Sequence, residues 1–154
     1  MLKWIVGHGA TGELLPAGTN FTAVHEGICA HIRVENDHIH NRIQWNLTLQ
    51  GFLFASYALA LGKDANLIIA SQFVRVVVLV GILSCLVTLL GLYSAYHSIN
   101  LNKKLWITNE AALAPIGTRP FSDPWPALLG RLPATMTILV LLFAWAQLAQ
   151  IKLL

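Results

Sequence analysis

Apolar and polar positions alternate in two different ways along this chain. Over residues 21–44 the apolar side chains recur at Val24, Ile28, Ile32, Ile39 and Ile43 and run on to Leu47, in steps of 4, 4, 7, 4 and 4, while charged residues and histidines occupy the positions between them. That recurrence predicts an amphipathic helix. Thr19 or Asn20 is the candidate N-cap, and no proline interrupts residues 21–63. Further on the alternation gives way to nearly continuous apolar blocks at 47–61, 76–96 and 134–148. A block of roughly 20 apolar residues spans about 30 Å of hydrocarbon, so three transmembrane helices are expected. The first would enter at Trp45, because indole rings favour the headgroup level.

The expected fold class is therefore an all-α membrane protein, three transmembrane helices preceded by a cytoplasmic amphipathic helix. Its parts are an irregular segment at 1–20, the amphipathic helix at 21–44, and a transmembrane domain at 45–154 with a Pro-rich loop at 107–133. Pro115, Pro120, Pro124, Pro126 and Pro133, with Gly117 and Gly130, argue against a continuous helix through that loop. Arg75 is read as the outer cap of the 76–96 block, with residues 65–73 in the interface; a helix starting at Asn66 would instead carry it into the bilayer.

Composition agrees with a membrane setting. The 154 residues are 56% hydrophobic and only 11% charged, against about 25% charged in soluble domains. Net charge is +3, and its distribution sets an expected orientation. Lys3, Arg33, Arg42, Lys103, Lys104, Arg119 and Arg131 fall on one side, which becomes the cytoplasm; Lys63, Lys152 and a boundary Arg75 fall on the other. The N-terminus is then cytoplasmic and the C-terminus outside, in the cell (inner) membrane. The opening "MLKWIVGHGATG" has too short an apolar run for a cleaved signal. Its G-x-G-x-x-G lacks the strand before and the helix after that a dinucleotide site requires. No basic patch with interleaved aromatics points to nucleic acid. Cys29 and Cys85 fall at different depths, so no disulfide is expected between them.

Two patterns inside the blocks carry the candidate function. Gly81, Ser84, Thr88, Gly91, Ala95 and Ser98 make a stripe of small residues in the second block, and Thr48, Gly51, Ala55, Ala58 and Gly62 make another in the first. Small stripes let helix backbones approach closely in lipid, so the two are expected to pack against each other. Opposite the first stripe, Arg42, Asn46, Gln50 and Tyr57 form a polar arc. It is expected to line an aqueous path, to contact another subunit, or to meet the third crossing, with Tyr57 at the level of Gln147.

His25, Cys29, His31, Glu35, His38, His40 and His97 are the candidate metal or haem ligands; His25 and Cys29 share a helix face, but a second recognisable ligand pair is missing. No cofactor or metal is expected. No nucleophile motif or paired carboxylate sits in an apolar block, so catalysis is not expected either. The functional expectation is a homo-oligomeric pore or membrane-perturbing effector; the alternatives are a non-catalytic accessory subunit of a larger membrane complex and, more distantly, a metal- or haem-binding protein. The expected partners are lipid and further membrane chains.

Overall fold

A computed structural model describes residues 14–16, 18–62, 67–121 and 124–151. The glycine-rich run at 7–12, the connection at 63–66 and Lys152 lie outside the described residues. The described chain is all-helical: α1 (Phe21–Ala60), α2 (Leu67–Thr108), the one-turn α3 (Glu110–Leu113) and α4 (Pro124–Ile151). Two of these contain stretches long and apolar enough to cross a membrane, Ile69–Thr108 in α2 and Leu129–Gln150 in α4.

α1 runs unbroken for 40 residues, in keeping with the absence of proline from 21 to 63 and the helical character expected to continue through Trp45. The helix boundaries correct the expected ones at two places. α2 takes in the whole of 67–108 around the 76–96 block, so Arg75 stands inside a helix, eight residues past its start. The Pro-rich loop is shorter than 107–133, because α4 already begins at Pro124. Pro124 and Pro126 occupy a first turn, where backbone N–H groups have no helical acceptor to lose. Pro133 stands inside α4, and Thr137 Oγ1 donates to its carbonyl at 2.8 Å. Ahead of α1, Gly18 adopts a positive φ of 89°, in a turn closed by Thr19 N–H on Pro16 O.

The chain divides into two compact units, Met1–Ile39 with Tyr93–Leu129, and His40–Leu92 with Gly130–Leu154. In the first, Val24, Ile28 and Ile32 of α1 pack with Leu105, Trp106 and Leu113, flanked by Leu15, Phe21 and Phe121. Buried Asn109 ties this core to the chain start: its Oδ1 accepts from Leu15 N–H at 2.9 Å, and its Nδ2 donates to Leu105 O. The expected apolar stripe of α1 holds here and fails at its far end, where Leu47 is exposed. Each four-residue step advances the stripe by about 40° around the helix, so a run of such steps precesses off the packed face.

The second unit buries Tyr57, Val74, Val77, Val78, Cys85, Leu92, Ile138 and Trp145, together with polar Asn46, Gln50 and Thr88. Its outward side chains are mostly large and apolar, including Trp45, Phe52, Leu59, Val76, Val87, Leu90, Val140 and Phe143.

Candidate functional site

Within the second unit the polar arc of α1 meets the small stripe of α2, a pairing different from the expected one. Three rungs run along the contact. Arg42 Nη1 donates to Gly91 O at 2.7 Å. Asn46 Nδ2 donates to Ser84 O at 3.1 Å and to Thr88 Oγ1 at 2.8 Å. Gln50 Nε2 reaches Ser84 Oγ at 2.8 Å, Cys85 Sγ at 3.2 Å and Gly81 O at 3.3 Å. Ser84 and Thr88 turn their own hydroxyl protons back onto Gly81 O and Ser84 O, which leaves their oxygens free to accept from the amides.

The small residues explain how the amides reach these acceptors. A helix carbonyl already engaged by its i+4 N–H keeps a second lone pair, and glycine or serine at the contact lets a side chain approach it. An amide in an apolar surrounding costs several kcal/mol without a partner, whereas small-against-small packing has only dispersion to offer. The arc therefore takes the α2 stripe. The α1 stripe is left outward: Thr48, Gly51, Ala55, Ala58 and Gly62 are all exposed, and a methyl added at Gly51 would meet nothing within 4 Å.

The far side of Gln50 is closed by α4. Trp145, fully buried, donates its indole N–H to Gln50 Oε1. An indole nitrogen can only donate, so it fixes which end of the amide faces α4. Phe54 stacks on the same indole at 4.4 Å between centroids, and Tyr57 meets it edge-on at 6.2 Å. Tyr57 thus faces Trp145, and the expected partner Gln147 is exposed. Gly81 is the other half of this contact, since a methyl placed there would overlap the indole ring. At Gly91 an added methyl meets only the flexible Arg42 side chain, at 3.2 Å. Ala95 and Ser98, the remaining residues of the stripe, belong to the first unit, Ala95 buried and Ser98 half-buried. Asn46 Oδ1 is buried with no partner among the described residues.

Trp145, Cys85 and Gly81 as the seat of an indole were missed from sequence. The available signal was a lone Trp, Ala-flanked, within the third apolar block. A tryptophan enclosed by apolar side chains needs a polar partner for its N–H.

The histidines are dispersed. In the first unit, His25 lies 5.0 Å from the Trp106 ring, its Nε2 is 3.3 Å from Thr118 O, and Cys29 Sγ is 3.8 Å from it. Burial pushes the Cys29 thiol above its ordinary pKa, opposed by the nearby Arg33 charge. His31 Nδ1 is 3.1 Å from Asn102 Nδ2, and His97 stacks on Tyr93. His38 and His40 are exposed. Among the described residues no three His, Cys, Asp or Glu converge on one point.

Comparison with protein-family models, with characterised proteins and with solved structures yields no match.

Proposed function

We propose that this chain is a non-catalytic integral membrane subunit, crossing the bilayer three times and acting through assembly with other membrane helices. The supporting observation is the inversion of burial in the second unit, where Asn46 and Gln50 are inside and Leu47, Leu49, Phe52 and Leu59 are outside. An apolar exterior around amides that donate to a neighbouring helix is what lipid favours in a protein surface. The inversion also bears on the third crossing. Averaged along the chain, α1 is made too polar by Asn46 and Gln50, but both amides are held between helices, and the surface it turns outward is apolar. Residues 43–60 rise about 27 Å as a helix, close to the hydrocarbon thickness. The distribution of basic residues supports an inner-membrane orientation with the N-terminus and the 114–121 segment in the cytoplasm and the C-terminus outside.

The subunit reading is preferred to the pore because the arc that would have lined an aqueous path is closed by α2 and Trp145. A pore would have to form between copies. The outward stripe of α1 keeps that second reading open, since identical stripes can pack in a homo-oligomer. Purification in mild detergent with mass measurement, followed by flux from liposomes, separates them. Co-purifying foreign subunits and silent liposomes are the expected result. A ring of identical chains that conducts would replace this reading with the pore, and a chain released from membranes by alkaline carbonate would remove both.

A further inference from the structure

Arg75 stands at one end of an apolar slot in the second unit. The cleft, of about 340 Å³, lies between α2 and α4 and is lined by Arg75, Val78, Leu79, Leu83, Leu148 and Ala149 among others. Arg75 is exposed, and no side chain among the described residues pairs with it. Its level can be read from the helix beside it: Leu148 and Ala149 are among the last residues of the apolar stretch Leu129–Gln150. The guanidinium therefore belongs near headgroup height although α2 continues beyond it, and the long side chain can extend further toward the interface. From Arg75 to Leu83 the slot runs eight residues along α2, about 12 Å at 1.5 Å per residue. The volume is at the lower end of ligand clefts, roughly 300–1,000 Å³.

We infer that this cleft is a binding site for an anionic phospholipid, its phosphate on Arg75 and one acyl chain along Val78, Leu79, Leu83 and Leu148. Guanidinium matches phosphate through paired N–H donors, and its positive charge at headgroup height favours a lipid of net negative charge. The apolar slot below the charge selects a chain-bearing anion over a free one. The inference rests on the membrane reading above.

The test uses the whole chain in an uncharged detergent, with native mass spectrometry of retained lipid. Phosphatidylglycerol and phosphatidylcholine of identical acyl chains are the probes. One phosphatidylglycerol per chain is expected, retained at least several-fold better than phosphatidylcholine. Arg75→Gln should erase the preference, Arg75→Lys should keep most of it, and Ala149→Phe, which fills the slot, should lower retention of both lipids. Equal retention of the two lipids by the parent overturns the site, as does an Arg75→Gln chain with parental helicity and undiminished preference. Displacement by glycerol phosphate as effective as by the lipid overturns it too, because the slot would then contribute nothing. Carbonate extraction of membranes distinguishes the two levels of the argument. A chain that stays in the pellet but shows no lipid preference sinks the lipid site alone, and a chain found in the supernatant sinks the membrane reading.

Discussion

The two halves of α1 solve the same packing problem with opposite chemistry. In the first unit the packed face is Val24, Ile28 and Ile32, and the outer positions carry Glu26, Arg33, Asp37 and His38. In the second unit the packed positions are Asn46, Gln50 and Tyr57, and the outer ones carry Trp45, Leu47, Phe52 and Leu59. On the membrane reading proposed above, the difference follows from what surrounds each half. In water, apolar area gains about 25 cal/mol per Å² by leaving solvent, so hydrocarbon goes inside. In lipid that gain vanishes, and amides without partners become the costly groups. Polarity then goes inside. Hydrogen bonds to small-residue carbonyls do in the second unit what leucine-sized contacts do in the first.

The strongest way to break this comparison is at Gly81. A side chain there must displace the buried indole of Trp145, and with it the Gln50 hydrogen bond and the Phe54 stack. Gly81→Leu is expected to cost about as much as emptying the indole site, roughly 3–5 kcal/mol, and to unseat α4. Denaturant unfolding in detergent micelles measures it. Stability within about 1 kcal/mol of the parent would mean that Trp145 does not pack on α2.

A paired exchange comes next. Ile28→Asn puts an amide into the apolar core of the first unit and is expected to cost about 3 kcal/mol, from lost burial and an unsatisfied group. Gln50→Leu does the reverse in the second unit and should cost about 1–2 kcal/mol, mostly because the Trp145 N–H loses its acceptor. Adding Trp145→Phe to Gln50→Leu should then cost less than the two separate effects combined, since both partners of one bond are gone. Strict additivity of the pair would indicate that the bond contributes nothing. A Gln50→Leu penalty exceeding that of Ile28→Asn would indicate that the two halves are not in different surroundings.

How far this contrast was readable in advance depended on the range of the pattern. The helical character of 21–60, the α1 face around Ile28 and the two stripes all follow from local periodicity, a property of one helix at a time. Which stripe meets which does not. Small residues at Gly51 and Gly81 look alike along the chain, yet Gly81 seats an indole and Gly51 faces outward; the choice is made by Asn46 and Gln50 competing for carbonyl lone pairs on a neighbouring helix. The Pro-rich segment misled for a related reason. Proline opposes a helix interior, but Pro124 and Pro126 stand at a start, where their missing N–H groups cost nothing. Arg75 is a third case, because its level depends on where α4 ends.

The smallest expected effect is at Gly51, and it sharpens the comparison between the two glycine positions. With nothing within 4 Å of an added methyl, Gly51→Ala should leave the isolated chain unchanged or raise its stability by up to about 1 kcal/mol, the helix-propensity difference between the residues. Gly51→Leu should likewise leave unfolding of the single chain near that of the parent, while any assembly made through the outward stripe of α1 should weaken, because a branched side chain holds neighbouring backbones apart. Unfolding and mass, measured on the same samples, separate the two levels. A Gly51→Leu chain that loses stability as Gly81→Leu does would put this stripe inside the bundle and return the polar arc to the outer surface.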